Sequence, residues 1–313
     1  SMPRSPLSSL AVAVVAAGSL SAQRPDAGAK AKVTMRFAPA VGAVSHCTLR
    51  AETAAENEQI GTMEAKLSLH CERTVVAAKD GVVTLRYRFL RVVGSQVQTR
   101  PAGEKQEATY DSDKDKGQPS PQFPDIAEDT MVCKVDARGR IVEVEAPDGM
   151  TRQSISPFAL NGDPASFVRL FAFELPAAAD PAGDGWSPKW AVGMGEHESF
   201  AFQSASKLVA VAAGKAAVED VATCAAPPDI GRGSTVEAVS AKASASVDVA
   251  DGSVSALTRE MKLTGTAGNA QGAVAMTLRW IVQPAEAPPA KAKGGDEAKG
   301  GDEAKRPAPG DGR

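Results

Sequence analysis

The chain of 313 residues holds three histidines, four cysteines and only 14 aromatic residues, and each scarcity removes a class of function. With His46, His70 and His197 as the only imidazoles, a histidine general base has few places to stand. The cysteines, Cys47, Cys71, Cys133 and Cys224, show no Cys-x-x-Cys spacing, and no His-x-x-x-His pair accompanies them, so the ligand spacing of a zinc site is missing. No segment approaches the ~20 apolar residues of a transmembrane helix, so an integral membrane protein is not expected. Excess charge is missing too. A formal net charge of -3 gives no electrostatic sign of a nucleic-acid partner.

The first 22 residues are organised for export. Arg4 precedes the uncharged stretch PLSSLAVAVVAAGSL, and small residues close it at Ser19, Ser21 and Ala22, the layout of a secretory signal peptide. Residues 23–32 read as a linker. An exported chain, periplasmic or extracellular, would place its cysteines where disulfides persist. Cys47 and Cys71 each follow a histidine, in SHCTLR and LHCERT. Side chains alternate along a strand, so an adjacent His and Cys point to opposite faces and cannot share one ion. Cys71 shares its face with Met63, Ala65, Leu67 and Leu69, while His70 shares the other with Glu64, Lys66, Ser68 and Glu72. The pattern puts both thiols in the core. A Cys47–Cys71 disulfide is the expected pairing, provided that the hairpin between them turns near Gln59.

Residues 33–283 read as a β-rich domain, in one piece or two lobes. In VVAAKDGVVTLRYRF, Val83, Leu85, Tyr87 and Phe89 fall on one face and Thr84, Arg86 and Arg88 on the other, after a turn at Lys79-Asp80-Gly81. The same strand, turn and strand recur around Gly139, Gly214 and Gly252, which makes four hairpins. Further strands are predicted at 33–38, 43–54, 61–77, 197–204, 234–249 and 272–283. In NGDPASFVRLFAFELP, Asp163 is a helix N-cap with Pro164 at the first helical position, and Phe167, Leu170 and Phe171 follow at helical spacing, predicting a helix over 164–175. A second short helix is predicted over 151–158. Residues 100–129 are polar and rich in proline and acid, and read as a long loop. From 284 onward KGGDEA is nearly duplicated, and six acidic residues balance six basic ones from Glu286, which predicts a disordered tail over 284–313. The fold class is therefore mainly β (α+β): a curved antiparallel sheet built of hairpins, with one or two packed helices.

Motifs for chemistry fall short one by one. His197-Glu198 lacks the second histidine of a zincin helix, since Ala201 stands four residues on. GRGSTV at Gly231 lacks both the third glycine of a dinucleotide loop and the hydrolase elbow. Asp111, Asp113 and Asp115 alternate as in a calcium loop, but Lys116 and Gln122 stand where a glycine and an acid are required. No cofactor, metal or catalytic residue is assigned on this basis.

What remains is an uneven placement of rings. Eight of the 14 aromatic residues lie between Phe158 and Phe202, in a chain whose strands are otherwise Val, Ala and Leu. Phe158, Phe167, Leu170, Phe171, Phe173, Trp186 and Trp190 either fasten a helix to the sheet or line an apolar pocket.

The order of TYDSD, MVCKVDARGRIVEV, ELPAAADPAGDGW and VDVADGSVSALTREMKLTG resembles an uncharacterised family of exported bacterial proteins, a domain of unknown function. That family is similar in layout to the lipoprotein-carrier superfamily, whose curved sheet wraps around helices and can hold a lipid. The resemblance implies a fold more than an activity, and no catalytic residues come with it. Taken with the cluster of rings, the sequence leads to the expectation of a non-catalytic envelope protein that binds an apolar or lipid-like ligand, or another envelope protein. A structural or interaction module is the alternative, and a hydrolytic or metal enzyme comes third.

Overall fold

The computed structural model describes residues 33–115, 118, 123, 125–147, 168–177, 185–193, 199–226, 235–266, 268 and 272–287. The predicted signal peptide, linker and second helix, and the tail beyond 287, lie outside them. Twelve strands form one antiparallel sheet: β1 (Val44–Asn57), β2 (Gly61–Lys79), β3 (Val82–Thr99), β4 (Lys105–Asp111), β5 (Thr130–Asp136), β6 (Ile141–Glu145), β7 (Lys189–Gly193), β8 (Ser199–Ala212), β9 (Lys215–Cys224), β10 (Thr235–Asp248), β11 (Val254–Thr266) and β12 (Ala273–Pro284). Their order is β6-β5-β3-β2-β1-β12-β11-β10-β9-β8-β7, with β4 paired to β3 beside β5. The first and last strands thus meet in the middle. The chain travels outward from that seam to β6, crosses to the far edge at β7, and returns hairpin by hairpin.

The four hairpins read from the sequence are all present, because alternation and turn chemistry are local signals. Asp80 and Gly81 both take positive φ, 53° and 78°, the conformation of a two-residue turn whose twist suits the flanking strands. One face of the sheet is buried: Leu67, Leu69 and Cys71 on β2, Val83, Leu85 and Phe89 on β3, and Leu278, Trp280 and Val282 on β12. The opposite face carries alternating charge. Lys242, Glu260, Arg279, Glu52 and Lys66 are successive register partners across five strands. Ion pairs of 3.2, 2.8 and 3.7 Å join the first four.

Three predicted elements need correction. Residues 33–38 form no strand: Phe37 N–H donates to the Ala137 carbonyl and Ala38 N–H to that of Asp251, so this segment ties two turns together with Met35 and Phe37 buried beneath it. The polar loop 100–129 contains β4, and it buries Phe123 and Ile126. The helix over 164–175 does not extend through its second half. Only Val168 and Arg169 are helical among its described residues, followed by a turn and then extended chain. FAFEL has two readings, and the period-2 one wins: Phe171, Phe173 and Leu175 are buried, whereas Ala172 and Glu174 are half-buried. The described part of the fold therefore packs this crossover segment, not a long helix, on the sheet. β7 is a strand that the alternation did not signal.

The expected disulfide is not formed, although its geometric premise holds. Cys47 and Cys71 are register partners, and the hairpin turns over residues 58–60, centred on Gln59. All four cysteines are nevertheless free thiols. Ala285 N–H donates to the His46 carbonyl, so the even-numbered backbone groups of β1 face β12 and the odd-numbered ones, Cys47 included, face β2. Cys47 and Cys71 are thus a hydrogen-bonded pair, the more widely spaced kind in an antiparallel ladder. Its Cβ atoms tend toward the far end of about 4.5–5.5 Å, beyond the mean of about 3.8 Å that a disulfide prefers.

A candidate cavity under the crossover

The crossover segment 168–177 joins the two edges of the sheet. A flat sheet of this strand order would separate β6 from β7 by roughly 50 Å. Here Leu175 N–H donates to the Arg138 carbonyl at 2.7 Å, Arg138 pairs with Glu174 at 2.7 Å, and the Trp186 indole N–H donates to the Glu174 carbonyl at 2.9 Å. Trp186 then exchanges backbone bonds with Ser206 of β8. The sheet is therefore strongly rolled, with the crossover laid across its open side. Gly139 permits the close approach. It has positive φ, and a Cβ there would lie 2.7 Å from the Phe173 carbonyl oxygen.

Between crossover and sheet lies a cavity of about 210 Å³. Phe173 and Ala172 border it from the crossover, Ile141 and Arg140 from β6 and its turn, and Trp190 from β7, so both edges contribute. Phe173 meets Trp186 edge-on at 6.4 Å, and Trp190 stacks on Phe202 at 4.1 Å between centroids.

The floor is polar and buried. Asp220, Ser204, Ser206 and Arg259 are each 5% exposed or less. Ser204 and Ser206 donate to the two carboxylate oxygens of Asp220 at 3.0 and 2.6 Å, and the Trp190 indole N–H donates to the Ser204 hydroxyl at 2.9 Å. Arg259 donates through Nη1 to the Leu170 carbonyl at 3.1 Å and through Nη2 to that of Ala172 at 3.0 Å, taking up carbonyls that a continuing helix would have used. Its guanidinium sits 4.8 Å from the centroid of Trp190. Burial pulls Arg259 down to about 10, which leaves it charged at neutral pH, and Asp220 opposes that pull. Its Nε has no acceptor among the described residues. At the mouth, burial lifts the Glu174 carboxyl while Arg138 pulls it back.

The residues singled out from the sequence divide among three places. Phe158 and Phe167 lie outside the described residues. Leu170 is fully buried in the core, and Phe171 borders an adjoining, smaller cavity of about 60 Å³ with Cys47, Leu49 and Tyr87. Phe173 and Trp190 line the cavity under the crossover, with Trp186 against Phe173. The polar floor carries no sequence motif, but its residues leave a signal in their phase. Asp220 falls in the apolar phase of β9 with Ala216, Val218 and Ala222, and Arg259 in that of β11 with Leu257, Met261 and Leu263.

No protein-family model matches the chain, and no curated protein matches it, so the family resemblance rests on layout alone. Two solved structures are similar in part. One, described as lipid-protein interactions in lipovitellin, has a TM-score of 0.49 and 13% identity over 81% of this chain and 26% of that one. The other is DynF from the dynemicin biosynthesis pathway of Micromonospora chersina, with a TM-score of 0.25 and 8% identity over 91% of this chain and 94% of its own. The chain thus spans about a quarter of the lipovitellin chain's length. At these scores neither likeness bears on function.

Proposed function

We propose that this chain is an exported, non-catalytic binding protein that holds one small apolar group in the cavity under the crossover. The observation that carries the reading is the cavity itself, about 210 Å³ with an aromatic wall and a buried polar floor. Its size narrows the ligand. A dry cavity of about 150 Å³ admits benzene, so this space suits a single ring or a short chain and not the paired acyl chains of a phospholipid. The lipid-like ligand expected from the sequence becomes a smaller amphiphile. Removing about 200 Å² of apolar ligand surface from water at about 25 cal/mol per Å² contributes ~5 kcal/mol before the entropic cost of association, so the dissociation constant is no tighter than a few tenths of a millimolar.

The non-catalytic reading is supported by how the floor spends its groups. Both oxygens of Asp220 accept serine hydroxyls, and Glu174 pairs with Arg138, so neither carboxylate is poised toward an open base role.

The test is titration with 2-aminobenzonitrile, a neutral one-ring fluorophore, at concentrations up to millimolar. Saturable binding at one site is expected, accompanied by quenching of Trp190. Ala172→Phe, which places a ring in the cavity, should abolish both. An unfilled, fully folded protein that shows no saturable signal would overturn the reading. Export is tested separately: the intact mass of protein recovered from a bacterial envelope should lack residues 1–22.

A further inference from the structure

We propose a second binding site, apart from the cavity under the crossover: a carboxylate bearing one ring, held between the guanidinium of Arg73 and the phenol of Tyr87. The two residues are register partners on β2 and β3, and Ser45 on β1 is the register partner of Arg73 on its other side. All three fall in the inward phase of their strands, with Cys71, Phe89 and Cys47. Arg73 Nε donates to the Ser45 hydroxyl at 3.1 Å, which holds the guanidinium in place. Its two Nη groups and the Tyr87 hydroxyl make no hydrogen bond among the described residues, yet each keeps accessible surface. Both side chains line the cavity of about 60 Å³, and Arg73 also lines a neighbouring one of about 230 Å³.

Charge and shape select the ligand. Among the described residues Arg73 is the one charged side chain of the smaller cavity, whose wall is otherwise mostly apolar. In the larger cavity Lys215 and Asp248 neutralise each other at 3.0 Å, and Asp251 accepts the Ser253 N–H at 2.8 Å. No carboxylate among the described residues pairs with Arg73, whose side chain bonds only Ser45. Burial raises the Tyr87 phenol well above its usual range, so it stays protonated and donates. A planar guanidinium fork matches a carboxylate, and the bond is charge-assisted. One cation and one neutral donor balance a single negative charge, whereas a phosphate dianion would bring an uncompensated one into the roll. Phe37, Leu85 and Val254 line both cavities beside Arg73, so the ring can occupy the larger one, and a space of about 150 Å³ already admits benzene.

The experiment follows thermal unfolding of the whole chain with sodium benzoate, with benzyl alcohol, and with sodium chloride at matched ionic strength. Benzoate should raise the midpoint saturably, because it binds only the folded state, and benzyl alcohol should act at least about tenfold more weakly. Arg73→Gln should erase that preference. Tyr87→Phe removes a hydroxyl that bonds nothing, so it should fold like the parent and lose about tenfold in benzoate affinity. Benzyl alcohol or chloride as effective as benzoate, or Tyr87→Phe protein that binds benzoate like the parent, overturns the site. Displacement of bound 2-aminobenzonitrile by benzoate also overturns it, since the benzoate would then sit under the crossover. Failure of 2-aminobenzonitrile itself to bind overturns the crossover reading and leaves this site standing.

Discussion

Asp220 and Arg259 pair with opposite sides of the same residue, Ala243, so the two buried charges sit two strands apart with only a methyl group between them. That spacing explains why no direct ion pair forms. Each charge satisfies itself elsewhere, Asp220 on serine hydroxyls and Arg259 on crossover carbonyls.

Arg259→Met should therefore cost about 3–5 kcal/mol, because it strips donors from the carbonyls of Leu170 and Ala172 and leaves Asp220 buried without a counter-charge. Asp220→Asn keeps an acceptor for a serine and should cost less. Urea unfolding of both variants measures the order, and an Arg259→Met protein as stable as the parent would contradict the role assigned to the guanidinium.

Phe123 is the ring that closes over the polar stretch between β4 and β5. It is 1% exposed, stacks on Tyr110 at 6.2 Å between centroids, and lies over Gly94, where a Cβ would come within 2.3 Å of its ring. Phe123→Ala should cost about 3–5 kcal/mol, far more than a solvated loop residue would. Gly94→Ala should also destabilise, by pushing the ring aside. Thermal unfolding of each variant decides both points.

Acid should loosen β4 from β3. Asp111 accepts from Nε and Nη2 of Arg91 at 3.0 and 2.7 Å, and that guanidinium holds its carboxyl well below the usual carboxylate range. A depressed folded value means that the contribution is complete above about pH 5 and is lost as pH falls below about 4 through the depressed value. The stability difference between the parent and Asp111→Asn should accordingly shrink as pH is lowered, which urea titrations at a series of pH values will show. A difference that stays constant or grows on acidification would refute the assignment.

Thiol chemistry should single out Cys224. It is half-buried, whereas Cys47, Cys71 and Cys133 are buried. Burial also pushes the Cys133 thiol up to about 12 and raises Cys71, so both resist ionisation. Cys47 is shifted the other way, by its hydrogen bond with Cys71, but burial denies a reagent access to it. A native titration should label one thiol quickly, Cys224→Ser should remove that phase, and urea should release the remaining three.

Most strands were legible because their signals are local. In KLVAVAAGKAAVEDVATC, alternation and a turn at Ala213-Gly214 specify a hairpin whatever surrounds it, and β8 and β9 form there. The register of Cys47 with Cys71 followed from counting residues to the turn. The candidate site was legible only in part. Phe173 and Trp190 belong to the cluster of rings that stands out in the sequence, whereas Asp220 and Arg259 carry no motif and are marked only by their phase along β9 and β11.

The sequence by itself determined the four hairpins, the buried phase of their strands and the cysteine register, since each depends on alternation and on the distance to a local turn. Tertiary structure alone decided which edges meet and what becomes of the chain between them. FAFEL fits either period, and its carbonyls need donors whichever is adopted. Arg259 supplies those donors to the turn from a strand about 90 residues away, and the Arg138 carbonyl accepts from Leu175, so the segment stays extended across the sheet. A contact between such distant residues leaves no local pattern. Among the described residues, the cavity lies beneath this extended segment and not beneath a helix.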